Sequence, residues 1–373
     1  MANGVAKPLL DDLMVVAGGA YPGVKVDAHG FLGMVISNTA PGDIKVNSAL
    51  GHKQQVDIKY KQRYTKAQTD TSLSCDNVLT PSWSEATVAV NNVRQIAIHW
   101  DDETIATYMA DASARAAVPG SSPSASVISE ILTDIKHAAN AIMDGVNDDL
   151  LGLLTWGKNR VTGASTATSI NFSSDTSVQK FTEGFPRLLG DYRKNNLTGR
   201  PQIVGAGNFA NVALAQAMKV GADQFGYDYR LALAGFDFWM DQDFDDVVGS
   251  NVIGVFEPGS VKIVEYNRYT GFKAGNKGVS EFFQVVLPYV DPVSNSVVPV
   301  RLDAQLKYAD CAESYTDAYS GQSVSLEKGY NLILSKTFGL FQIPADAYRH
   351  EDAQRSVNGA LRYSVTTNCD TCA

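Results

Sequence analysis

The sequence predicts an α+β chain. Three observations carry that expectation. The stretch "VISEILTDIKHAANAIMDGVNDDLLGLLTW", residues 127–156, has the period of a helix. Two long strand-like runs precede it, at 54–65 and 86–100. Short apolar runs separated by turn signals fill the last third of the chain.

The bulk numbers set the frame. With 373 residues, 45% hydrophobic and 19% charged, the chain can bury a large core and form two domains. A net charge of −9 argues against a dedicated nucleic-acid binder, which shows a basic face. It still allows a protein whose inner surface lies near nucleic acid. Asp11 and Asp12 interrupt the first apolar run, so no secretory signal is expected. No run approaches the roughly 18 apolar residues of a membrane helix. A soluble chain made in a cytoplasm is the expectation. Cys75, Cys311, Cys369 and Cys372 are too sparse for a disulfide framework.

Taken in order, residues 1–50 hold glycine clusters between short apolar pieces and read as an extended arm. In "QQVDIKYKQRYT", Val56, Ile58 and Tyr60 alternate with Asp57, Lys59 and Lys61, which is the period of a strand. "ATVAVNNVRQIAIHW" reads as its partner, with a polar tip between them, so a long hairpin is expected. One face carries Lys59, Lys61 and Arg63, with Lys66 just beyond. That face is either simply solvated or part of a projecting arm that seeks an acidic partner. Asp101 and Asp102 suit the positive end of a following helix.

The long helix is then expected. Ile128, Ile131, Ile135, Ala138, Ile142, Val146, Leu150 and Leu153 form one apolar stripe. Glu130, Asp134, His137, Asn140, Asp144 and Asn147 run down the other side. Ser126 is the expected cap, and Gly157 the expected stop. Gly145 and Gly152 weaken the helix by about 1 kcal/mol each against alanine. Further on, "SVQKFTEGFPRLLGDYRKN" reads as a helix broken by Gly184 and Pro186, and "GRPQIVGAGNFANVALAQAMK" as strand, turn and helix.

Few motifs suggest chemistry. "GAGNFA" at 205–210 follows a strand, as a dinucleotide loop does. No clean second parallel strand with a terminal acid is evident after it, so a structural turn is the expected role. "CDTC" at 369–372 supplies two ligands where a structural zinc site needs four. His29, His52, His99, His137 and His350 are scattered without metal-ligand spacing. "DQDFDD" at 241–246 lacks the glycine and glutamate of a calcium loop and reads as a solvated acidic loop.

Arm, hairpin, long helix, α/β region and returning strands: this order resembles the major capsid protein of tailed bacteriophages, the Hong Kong 97-like fold. The resemblance covers most of the chain and lies in element order. It implies an N-terminal arm at 1–50 and an E-loop hairpin at 51–100 that reaches over a neighbouring subunit. It implies a peripheral (P) domain at 101–198 with 127–156 as its spine helix, and an axial (A) domain at 199–285. Residues 286–373 would supply returning strands of both domains and a C-terminal tail. Lys59, Lys61, Arg63 and Lys66 then become candidate inter-subunit contacts. No catalytic residue, cofactor or metal is implied.

Hexamers and pentamers would self-assemble into an icosahedral shell around phage DNA, without sequence-specific binding and without a membrane. A separate scaffolding protein and a portal are the other implied partners. The location would be the virion, after assembly in the host cytoplasm. Two alternatives stay open: a nucleotide-dependent enzyme built on "GAGNFA", and an encapsulin-type compartment shell.

Overall fold

The computed structural model describes residues 30–37, 44–46, 55–61, 83–117, 125–159, 162–163, 165–171, 184–206, 209, 235–268, 273–274, 280–290, 297–316, 321–345 and 357–366. The chain opens with helix α1 (Gly30–Ser37) and strands β1 (Ile44–Val46), β2 (Gln55–Lys61), β3 (Trp83–Ala89) and β4 (Asn92–Trp100). Helices α2 (Asp102–Ala117) and α3 (Ala125–Leu153) follow, then β5 (Thr168–Asn171), α4 (Phe185–Lys194), β6 (Gln202–Gly205) and β7 (Asp237–Met240). After the single turn α5 (Phe244–Val247) come β8 (Val252–Phe256), β9 (Val261–Tyr266), β10 (Lys273–Ala274), β11 (Ser280–Val290) and β12 (Val297–Ala309). The last strands are β13 (Glu313–Thr316), β14 (Ser323–Leu326), β15 (Gly329–Gln342) and β16 (Ala360–Thr366). The architecture is mixed α+β, as expected. Among the described residues no helix is long and apolar enough to cross a membrane.

The chain forms two compact units. The first comprises residues 1–28, 90–146 and 265–338, the second 29–89, 147–264 and 339–373. In the first, an antiparallel sheet runs β10-β11-β12-β15-β4. Helix α3 lies along β4. Trp100 Nε1 donates to Asp134 Oδ2 at 3.0 Å, and a Cβ on Gly145 would come within 3.2 Å of Arg94 Cδ. Six strand residues span about 20 Å and eleven helical residues about 17 Å, so helix and strand keep pace in opposite directions. Trp100 and Arg94 share one face of β4, whereas Ala97 points to the other. There Ala97 and Ile333 meet Tyr315, Val324 and Leu326 of the small hairpin β13–β14. Gln322 Nε2 ties that hairpin to Val93 O at 2.9 Å.

The expected helix boundaries shift. Helix α3 begins two residues early, so Ser126 lies inside the first turn and does not stand before it. It ends three residues early because the second unit claims the following backbone. Thr155 N and Oγ1 donate to Gln342 Oε1 at 3.1 and 2.8 Å, and Asn358 Nδ2 donates to Thr155 O at 2.9 Å. Trp156 packs against Phe256 and Phe244, with ring centroids 5.7 and 6.5 Å away. Gly157 is therefore no helix stop. Its lack of a side chain admits Asn358, whose backbone N would lie 2.8 Å from an added Cβ.

The stripe from Ile131 to Leu150 is buried as expected, and Leu132, Ala139, Met143 and Leu151 widen it. Leu153 is 44% exposed, and Asn147, placed on the polar side by its spacing, is buried. Ile128's side chain lies outside the described set.

The expected hairpin also changes partner midway. β2 pairs with β3 from Gln55↔Ala89 to Lys61↔Trp83, and β1 pairs on the far side of β2. After Val90 and Asn91 the chain leaves for the other sheet, where β4 pairs with β15 from Tyr330↔Trp100 to Phe338↔Asn92. Alternation is the same in both strands, so the spacing alone could not reveal the switch.

Gly339 marks a tight approach in the second unit: a Cβ there would run into the carbonyl oxygen of Ala89. Gly339→Ala should lower stability by about 1–3 kcal/mol through overpacking. Gly152→Ala, with nothing within 4 Å of its added Cβ, should raise stability by about 1 kcal/mol. Urea midpoints of both variants check the pair; a neutral Gly339→Ala would refute the close approach.

The second unit holds the three-stranded sheet β1-β2-β3 and a five-stranded sheet β5-β16-β8-β6-β7. β16 pairs with β5 in parallel and β6 with β7 in parallel, while β8 is antiparallel to both β16 and β6. Thr168–Asn171 and Ala360–Thr366 thus share a sheet with Gln202–Gly205, across the sequence cuts at 198 and 285. Helix α4 starts after Gly184, at φ 65°, with Pro186 in its first turn, where a missing N–H costs nothing. A buried polar chain holds it in place: Asn195 Nδ2 donates to Asn159 Oδ1 at 3.1 Å, and Asn159 Nδ2 to Tyr363 Oη at 3.2 Å.

Candidate assembly surface

The β1-β2-β3 sheet has two unlike faces. Val56, Ile58, Tyr60 and Val88 are buried on the inner one. The odd-numbered residues of β2 face outward, and three of them stand opposite a polar or aromatic partner on β3. Asp57 pairs with Thr87, Lys59 with Glu85 and Lys61 with Trp83 in register. Each register pair is also a contact. Thr87 Oγ1 donates to Asp57 Oδ1 at 2.9 Å, Lys59 Nζ lies 2.9 Å from Glu85 Oε1, and Lys61 Nζ sits 4.8 Å from the Trp83 ring centre. The hydrogen bond and charge of Glu85 raise the Lys59 pKa above its ordinary value.

These contacts change the reading of the basic face. Lys59 and Lys61 stand on one outer face as their spacing requires, but both are engaged within the hairpin. Asp57 and Glu85 balance their charge. In β1, Lys45 stands in register with Lys59. Arg63 and Lys66 lie outside the described residues. Glu85 and Trp83 were missed from sequence because their position depends on the register, which a polar loop of unknown geometry sets.

The other candidates resolve differently. β7 does follow β6 in parallel, in register Gln202↔Asp237, and Asp241 comes directly after it. The sequence marks "FDFWMD" as a short strand, but its parallel pairing with β6 was not expected. Gly205 nonetheless serves packing: an added Cβ would meet Ile253 Cγ2 at 3.0 Å and Phe209 Cδ1 at 3.1 Å. Phe209 N donates to Ala206 O at 3.0 Å, closing a turn. Asp241 is not a solvated loop residue. It is 2% exposed, and its Oδ2 accepts from Phe31 N at 2.9 Å and Asn147 Nδ2 at 3.0 Å. Gly207, Asn208 and Ala210 lie outside the described residues.

His99 and His137 are exposed, as is Cys311; the remaining histidines and cysteines lie outside the described set. Among the described residues no three acidic, histidine or cysteine side chains come together to hold a metal. Sequence reading also passed over Phe238 and Met240, which are exposed on β7, at one edge of the five-stranded sheet.

No family model matches the chain, and no curated protein matches it. Solved structures do show a likeness. "Cyanophage A-1(L) capsid asymmetric unit" is 14% identical with a TM-score of 0.42, covering 90% of this chain and 92% of that one. A chain from Mycobacterium phage Cain is 12% identical with a TM-score of 0.41, covering 96% and 98%. "The capsid of Myoviridae Phage XM1" is 10% identical with a TM-score of 0.36, covering 87% and 90%. At such scores the likeness assigns neither fold nor function by itself.

Proposed function

We propose that the chain is a structural major capsid protein of the Hong Kong 97-like kind, built to tile an icosahedral shell around phage DNA. The observation that carries this reading is the course of α3 along β4. A long helix whose residues 134–145 lie along an antiparallel sheet makes a stiff plate, and plates suit a shell. The peripheral domain is then the part built on α3 and the sheet β10-β11-β12-β15-β4. The axial domain is the part built on the five-stranded sheet. The E-loop is the hairpin of β2 and β3, with β1 at its side. Hexamers and pentamers of this chain, a scaffolding protein, a portal and packaged DNA complete the proposed assembly, in a virion formed in the host cytoplasm. The chain's role is structural and not catalytic.

Lys59 and Lys61, with Arg63 and Lys66, are proposed to touch a neighbouring subunit. Exchanging Lys59→Glu with Glu85→Lys keeps the ion pair inside the hairpin and moves each charge to the other strand. The exchanged protein is expected to fold normally, because a surface pair contributes little to stability. It is expected to assemble poorly. Electron microscopy and sedimentation of the expressed protein decide the matter. Normal shells from the exchanged protein would remove Lys59 from the interface. Monomers alone from the unaltered chain, with and without scaffolding protein, would end the shell reading.

A further inference from the structure

Helix α1 is stitched into the second unit by side chains far away in sequence. Phe31 N donates to Asp241 Oδ2 and Leu32 N to Asn147 Oδ1, each at 2.9 Å. Asn147 Nδ2 donates to the same Asp241 oxygen at 3.0 Å, so the two side chains hold each other. Asp241 Oδ1 accepts from Asp243 N at 3.0 Å, which fixes the carboxylate's orientation. Gly30 stands at φ 58°, and a Cβ on it would overlap the Asp241 carboxylate. Residues 30–32, 147 and 241 therefore meet at one buried point.

A helix of eight residues does not hold its shape alone in water. Phe31, Leu32, Met34 and Val35 are buried, which favours docking. Ordering eight residues opposes it by an amount of the same size. With those two nearly cancelling, the hydrogen bonds at the first turn decide, and a carboxylate there also meets the positive end of the helix.

We infer that α1 is a separable strap, keyed by Asp241 and Asn147, which docks on β6 and β7 and comes off as one step while the five-stranded sheet stays folded. The inference goes beyond the shell reading and does not depend on it.

Hydrogen exchange on the full chain, read by mass spectrometry, tests it. In the unaltered protein the amides of Phe31–Val35 should exchange through an opening with less urea dependence than those of Ile253–Phe256 in β8. Asp241→Asn, Asn147→Leu and Gly30→Val should each lower protection of Phe31–Val35 by about 10- to 100-fold, leaving β8 unchanged. Equal loss in α1 and β8, or unchanged protection of α1 in all three variants, would overturn the strap. Should a variant fail to fold, the urea dependence in the unaltered protein still decides: identical dependence for α1 and β8 overturns it.

Discussion

Ala139→Pro is expected to unfold the first unit. Ala139 is fully buried near the middle of α3. Proline there removes a helical hydrogen bond and clashes with the preceding turn, costing about 3 kcal/mol or more. Its ring also enters a closed core, which adds about 1–3 kcal/mol. A typical domain has only about 5–15 kcal/mol to lose. Ala141, two residues on, is exposed and separates the two effects. Ala141→Pro should lose the backbone share alone, and Ala141→Leu should be nearly neutral, since leucine suits a helix. Circular dichroism during urea unfolding gives all three values. Electron microscopy adds the functional reading, because a bent plate should not tile. Regular shells from Ala139→Pro would remove α3 as the spine of the proposed capsid.

Glu265→Ala is the second large effect. Lys336 is 2% exposed inside the first unit, with its Nζ 2.8 Å from Glu265 Oε1 and 3.1 Å from Arg301 O. Taking away the carboxylate strands a buried ammonium, which typically costs about 3–5 kcal/mol. Glu265 keeps a quarter of its side-chain exposure, so water can reach the site and the lower end applies. The double variant Glu265→Leu with Lys336→Met should recover most of the loss, because a buried ion pair scarcely outweighs its own desolvation. A double-mutant cycle on urea midpoints measures this. If Glu265→Ala and the double variant lose the same amount, the charge of Lys336 is not what Glu265 stabilises.

Neither residue announced itself in the sequence. Lys336 sits in "LILSKTFGLF", where a lysine reads as a solvent-facing interruption of a strand. It is buried because β15 is covered along nearly its whole length, with strands paired on both sides. Burial on both faces erases the alternation by which a strand's inner side is recognised.

Local, short-range patterns were legible from the sequence. The stripe of α3, the alternation of Val56, Ile58 and Tyr60, and the α+β character follow from spacings of two, three and four residues, which are properties of one element. Long-range partners were not. Tertiary structure alone ended α3 at Leu153, by binding Thr155 to Gln342 and Asn358. It alone sent β4 to β15 instead of β2, and set Glu85 beside Lys59. It also buried Asp241 under the first turn of α1. Each of these joins residues tens to hundreds of positions apart. Such pairings depend on which surfaces the folded chain brings together, and periodicity within a segment carries no record of them.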